Sequence, residues 1–259
     1  MSARYELDGD VAIVTLDRPD RYNAIDAELC AAVLESLERA GTEARAVVLT
    51  GAGKAFCSGA DLSDLQNEYE SGSPDLASRL DQVFHPVVHA IGGCAVPTIA
   101  AVNGVAAGAG MGLALGCDIR VMAEPAYFTS AFTAIGLAPD SGSTWLLPHH
   151  AGTSVALDMA LTNRRMGAEE ALQRGLCAAV APDGESVAKA VEYGRQFADM
   201  STDALVSTRR LMHGSRRLTF AEALEEEKRE QGRLGKTPEH IEGVNAFLEK
   251  RKPDFRNPG

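Results

Sequence analysis

The sequence predicts an α/β fold with a helical C-terminal region, and three observations carry that reading. Short apolar runs of buried-strand type recur up to about residue 180. Stretches with helical apolar spacing alternate with them. From about Ser201 the strands stop and helix follows helix, rich in Glu, Lys and Arg. This divides the chain into a core at residues 1–200 and a helical region at residues 201–259. The 259 residues, 45% of them hydrophobic, suffice for one large core or a core plus an appendage.

The elements follow in order. Residues 5–7 and 11–16 read as two strands joined by the turn Asp8-Gly9-Asp10. Asp26 reads as an N-cap. After it, Leu29, Val33 and Leu37 recur every four residues beside Cys30 and Leu34, forming one helical face that Gly41 is expected to end. Residues 46–50 (AVVLT) form a buried strand. Residues 66–74 are polar and include Gly72, Ser73 and Pro74, which predicts an exposed, mobile segment. Residues 76–91 predict a helix, 97–102 (PTIAAV) a second buried strand, and 118–123 and 127–129 two more. Residues 143–149 and 154–161 predict helices, and strand–helix alternation continues to 180. Thr237 followed by Pro238 is an N-cap with a first-turn proline, opening a final helix that contains Phe247 and Lys250. A strand–strand–helix spiral fits this pattern without being required by it.

Composition excludes several classes. The formal net charge of −11 comes without a dominant basic patch or basic amphipathic helix, so neither nucleic acid nor a membrane surface is an expected partner. A few local Arg and Lys residues still suffice for an anionic small molecule. Five scattered cysteines with no CxxC pair predict neither a zinc site nor a disulfide framework. No stretch is apolar for long enough to span a bilayer, and the N-terminus has no apolar signal region. The expectation is a soluble, reduced, cytoplasmic protein.

Two segments stand out: AFCSGADL (residues 55–62) and AAVNGVAAGAG (residues 100–110). In each, an apolar strand gives way to small residues and then to helix. Small residues let a ligand approach the backbone, and a helix start presents unpaired N–H groups with partial positive charge. Two such N–H groups converging can hold a developing oxyanion; one donor of this kind contributes roughly 3 kcal/mol to a transition state. Either segment alone also reads as a tight turn whose glycines serve packing. Cys57 reads as a mildly reactive thiol or as a small buried apolar residue.

Together and in this order, the two segments resemble the crotonase (enoyl-CoA hydratase/isomerase) superfamily, over nearly the whole chain. The resemblance implies a crotonase-like spiral of strand–strand–helix turns. It implies a C-terminal α-helical trimerisation region, giving a homotrimer or dimer of trimers. It implies an acyl-CoA substrate, with coenzyme A as part of the substrate and no separate cofactor or metal. The N–H groups of Ala60 and Ala109 would form an oxyanion hole. Arg21, Tyr22 and Ser58 fall where the family meets CoA, and Phe247 and Lys250 match a pair reaching CoA from the last helix. Lys250 reads equally as a solvated cation at a helix C-terminus, and Phe247 as core. Leu62, Phe84, Gly108 and Phe132 are expected around the acyl group, and residues 68–75 are expected to close over it.

The hydratase members use two glutamates as acid and base. Aligned on these motifs, the two positions are Gly112 and Phe132, neither of which transfers protons. Asp140, in GLAPDSGSTWLLP (residues 136–148), resembles the Asp of the isomerase branch, including the epoxyacyl-CoA isomerases. A single carboxylate suits a double-bond shift, and burial would raise its pKa toward the working pH. Asp140 also reads as a helix cap. The aryl-CoA dehalogenases carry an Asp there too, with a histidine that aligns with His85, but have tryptophan where this chain has Phe132. His85 reads equally as a cap or surface residue beside Pro86. His85 and His89 have metal-ligand spacing but no third ligand in the pattern. A non-catalytic acyl-CoA binder is the reading from another class.

Overall fold

A computed structural model describes residues 2–72 and 74–258. The strands in chain order are β1 (Ala3–Asp8), β2 (Val11–Leu16), β3 (Ala46–Gly51), β4 (Ala55–Cys57) and β5 (Thr98–Val102), then β6 (Val105–Ala107), β7 (Ile119–Ala123), β8 (Tyr127–Thr129), β9 (Met166–Gly167) and β10 (Ala179–Ala181). The larger sheet has the order β1-β2-β3-β5-β7-β10 and the smaller one β4-β6-β8-β9. Among the described residues, only the β1–β2 and β8–β9 pairs are antiparallel. Successive pairs β3–β4, β5–β6 and β7–β8 each place one strand in the large sheet and the next in the small one, with helices between. This is a spiral of strand–strand–helix turns.

Burial explains why these runs become parallel strands. Every residue of β3 and β5 is buried, and apolar side chains on both faces suit a sheet covered on both sides. The helix Ala27–Glu43 packs its Leu29, Val33 and Leu37 face into the same core. Asp26 caps it, accepting a hydrogen bond from the Leu29 N–H.

Three expectations need correction. Gly41 does not end its helix, which runs on to Glu43. A Cβ at Gly41 would lie 3.2 Å from the Cβ of Ala95, so the glycine serves a close approach rather than a turn. Residues 76–91 are helical but not one α-helix: a π-helical turn, Leu80–Phe84, joins Leu76–Arg79 to His85–Gly92. Such turns re-aim side chains and are frequent at functional sites. His85 is therefore not a cap, because helical residues precede it. The polar segment at 66–74 is mostly exposed, as expected, and contains a short helix, Gln66–Glu70; Ser73 lies outside the described residues.

The chain divides into two compact units, residues 1–194 and 195–259, with the division inside the helix Ser186–Ala198. The second unit holds the helices Thr202–Ser215, Phe220–Leu234 and Pro238–Glu249, capped by Ser201, Thr219 and Thr237. Within it, the buried Glu230 carboxylate meets Arg210, Arg233 and Ser207. Phe220, Phe247 and Leu248 are exposed, at 81%, 82% and 71%. Among the described residues, no helix is long and apolar enough to cross a membrane.

Candidate active site

The small sheet builds the site. β4, β6 and β8 are parallel neighbours, with Cys57 opposite Ala106 and Ala107 opposite Thr129. The chain therefore leaves all three strands at one end, and residues 58–61, 108–110 and 130–132 emerge side by side. In parallel sheets the carboxyl ends of strands are where ligands gather.

The first loop presents Ala60. Ile25 pairs with it in a parallel bridge: the Ile25 N–H donates to Gly59 O (2.7 Å) and the Asp61 N–H donates to Ile25 O (2.8 Å). In that pattern the bonds go to the residues on either side, so the N–H of Ala60 itself faces away from Ile25. The second loop presents Ala109, first residue of the helix Ala109–Gly116, whose N–H has no partner inside the helix. Among the described residues, neither N–H donates a hydrogen bond. The loops meet glycine to glycine. A Cβ on Gly59 would lie 3.7 Å from both Gly108 Cα and Ala109 N. Gly108 has φ 53° and ψ −127°, a conformation that side chains rarely adopt.

A cavity of about 450 Å³ opens over both alanines. Ser58, Leu62, Phe84, Gly108, Phe132 and Asp140, all named from the sequence, line it. Tyr69, from the segment expected to close over the acyl group, lines it too, as do Leu76, Arg79, Leu80, Ile135 and Leu137, which the sequence did not single out. Leu76, Leu80 and Phe84 recur every four residues, a spacing that could have identified them. The wall is mostly apolar. Among the described lining residues, Asp140 is the one carboxylate.

Asp140 is half-buried. It is no helix cap: Gly142 occupies the N-cap of Ser143–Ala151, and no side chain caps that helix. Its Oδ1 accepts the hydroxyl of Ser141 at 2.8 Å. Burial pushes the Asp140 carboxyl up, while the Ser141 hydrogen bond and the nearby His85 pull it back down. Gly112 has no room for a side chain, since a Cβ there would lie 2.5 Å from Ser141 O. The Phe132 ring lies against Gly108, with Cζ 3.7 Å from where a Cβ would be.

Arg21, Tyr22 and His85 are not among the residues that line the cavity. Arg21 and Tyr22 are exposed at the end of the turn Pro19–Arg21, and Tyr22 O accepts the Ser58 N–H at 3.0 Å. His85 is part-exposed, with Nδ1 3.9 Å from Asp81 Oδ1. His85 and His89 rings meet edge-on, and no metal-holding cluster of three His, Cys, Asp or Glu occurs among the described residues. Phe247 and Lys250 lie at the end of the last helix of the second unit, Lys250 as its left-handed C-cap. Cys57 is fully buried, and burial pushes its thiol up to about 12, which makes it a packing residue. Arg18, invisible as a site residue in the sequence, joins the Ala60 loop through Asp61.

Comparison with known proteins adds an independent line. The enoyl-CoA hydratase/isomerase family model matches residues 6–258. A Rhodobacter capsulatus protein named a probable enoyl-CoA hydratase is 42% identical over 97% of this chain and 96% of its own. The 1,2-epoxyphenylacetyl-CoA isomerase of Escherichia coli is 37% identical over 95% of this chain and 94% of its own. A solved Mycobacterium abscessus structure, titled as an enoyl-CoA hydratase/isomerase, superposes with a TM-score of 0.89 at 36% identity, covering 97% of this chain and 98% of that one.

Proposed function

This chain belongs to the enoyl-CoA hydratase/isomerase family, the crotonase superfamily, and on that premise we propose that it is an acyl-CoA isomerase that moves a proton along the acyl chain with Asp140. The observation that carries the reading is the pairing of one carboxylate with two unpartnered N–H groups around one apolar cavity. The thioester oxygen accepts from Ala60 and Ala109. Asp140, ionised, removes a proton beside the carbonyl; the electron pair moves into the enolate, whose negative oxygen the two N–H groups stabilise. Protonated Asp140 then returns the proton further along the chain and the double bond shifts. No water is added and no electrons leave the substrate, so coenzyme A enters only as part of the substrate.

The closed space at Gly112 and the apolar ring at Phe132 count against hydration, whose two glutamates would stand there. The raised pKa of Asp140 suits a group that must both take and give a proton. Arg21, Tyr22 and Ser58 support CoA binding at the mouth, and the exposed Phe220, Phe247 and Leu248 support self-association through the second unit.

The test is a β,γ-enoyl-CoA incubated in heavy water, with product mass followed over time. Deuterium incorporation without gain of a water is expected, and Asp140→Asn should slow it by roughly 100-fold or more. Gain of a water, or an unaffected variant, would refute the proposal.

A further inference from the structure

The N–H of Ala60 needs an aim, and it follows a glycine. Gly59 sits at φ 101°, a conformation that side chains rarely adopt. The Ala60 N–H shares a planar trans peptide with Gly59 C=O and so points opposite to it. Gly59 O is held by the Ile25 N–H at 2.7 Å, and the Asp61 N–H by Ile25 O at 2.8 Å. The aim of Ala60 is therefore set by how firmly residues 59–61 are fastened to residues 24–26.

One side chain spans that seam. The Arg18 guanidinium donates through Nη1 to Ala24 O, and its Nη2 lies 2.9 Å from both Asp26 Oδ2 and Asp61 Oδ2. It grips residues on both sides of Ile25 and, across the seam, the residue next to Ala60. Asp61 is buried, at 8% exposure, and its other oxygen accepts the N–H and hydroxyl of Ser63 at 3.1 and 2.6 Å. Those hydrogen bonds and the Arg18 pair keep its carboxyl below the usual range, so it stays ionised. A charge-assisted bond of this kind is short, directional and hard to break when sheltered. We propose that Arg18 is a positioning residue for the reaction: acting through Asp61, it aims the Ala60 N–H at the thioester oxygen. The inference rests on the thioester reading above.

Asp26 provides the control. It takes the same guanidinium but lies on the far side of the seam, and as N-cap of its helix it is replaceable by Asn, which caps equally well. The measurement is isotope-edited infrared spectroscopy of butanoyl-CoA labelled with carbon-13 at the thioester carbonyl, bound to the whole protein. Hydrogen bonds from Ala60 and Ala109 lower the carbonyl stretch. Asp61→Asn should lose part of that lowering, and kcat should fall roughly tenfold with little change in KM. Asp26→Asn should keep the wild-type frequency, because Arg18 still holds that side of the seam through Ala24 O. Arg18→Met should lose more than Asp61→Asn; should it fail to fold, the two Asp variants still decide the matter. A shift retained in Asp61→Asn, or lost equally in both Asp variants, overturns this inference alone. A wild-type protein that leaves the carbonyl at its free frequency overturns the thioester reading and this inference with it.

Discussion

The two loops that present Ala60 and Ala109 emerge from neighbouring parallel strands, yet they are held in opposite ways. The Ala60 loop is fastened by polar contacts: the Ile25 bridge, the Asp61 carboxylate and the Arg18 guanidinium. The Ala109 loop is fastened by absent side chains. A Cβ on Gly110 would lie 2.3 Å from Cys57 O and 2.7 Å from its Sγ, and one on Gly112 would lie 2.5 Å from Ser141 O. The first loop should therefore respond to charge and the second to volume. Polar fastening leaves Ala60 adjustable, whereas close packing fixes the start of the helix Ala109–Gly116 against β4 and against the chain beside Asp140.

The largest effect is expected where volume and charge are both added to the packed loop. Gly112→Glu places a carboxylate at the aligned hydratase position, but at a buried site whose first added carbon already collides with Ser141 O. The structure predicts no gain of hydration and a loss of about 3 kcal/mol or more of stability, from overpacking and an unpaired buried charge. Chemical denaturation and a water-addition assay check it. A stable variant that hydrates an enoyl-CoA would break the comparison. Gly110→Ala comes next. It adds one methyl and no charge, and should cost about 1–3 kcal/mol while displacing the Ala109 N–H. Turnover should fall more than in Asp61→Asn, because the packed side has no neighbour free to give way. Equal losses in the two variants would remove the distinction between the loops.

This contrast also explains what the sequence made legible. β3 and β5 were readable because apolar residues fill both of their faces, and the cap of the first helix because Asp26 stands just before the apolar helical spacing begins. Ser58 and Asp140 stand out in the sequence through their motifs, Leu62, Phe84 and Phe132 as expected neighbours of the acyl group, and all five line one cavity. Gly41 misled because a glycine needed for close approach to Ala95 looks the same in sequence as one needed for a turn. The π-turn Leu80–Phe84 left no mark, since it keeps the apolar spacing of an α-helix while changing its hydrogen bonds. Arg18 carries no site signal of its own in the sequence. Its significance lies in Asp61, 43 residues away, a pairing that local pattern cannot express.

The smallest effect concerns Ser141, where the two kinds of fastening meet. Its backbone carbonyl packs against Gly112, and its hydroxyl donates to Asp140 Oδ1. The hydrogen bond favours the ionised carboxylate and so opposes the rise that burial causes. Removing it in Ser141→Ala should raise the Asp140 pKa further. In the proposed reaction Asp140 must start ionised, so the rate falls as pH drops through that pKa. The acid limb of kcat against pH should therefore lie at higher pH in the variant, with the alkaline plateau much less affected. Ser141 has φ 49°, a strain that serine and alanine share and glycine relieves. Ser141→Gly consequently separates the causes. If the limb moves because the hydroxyl is gone, both variants move it alike. If it moves because the backbone relaxes, only the glycine does, and the limb reports the packed loop rather than the hydrogen bond.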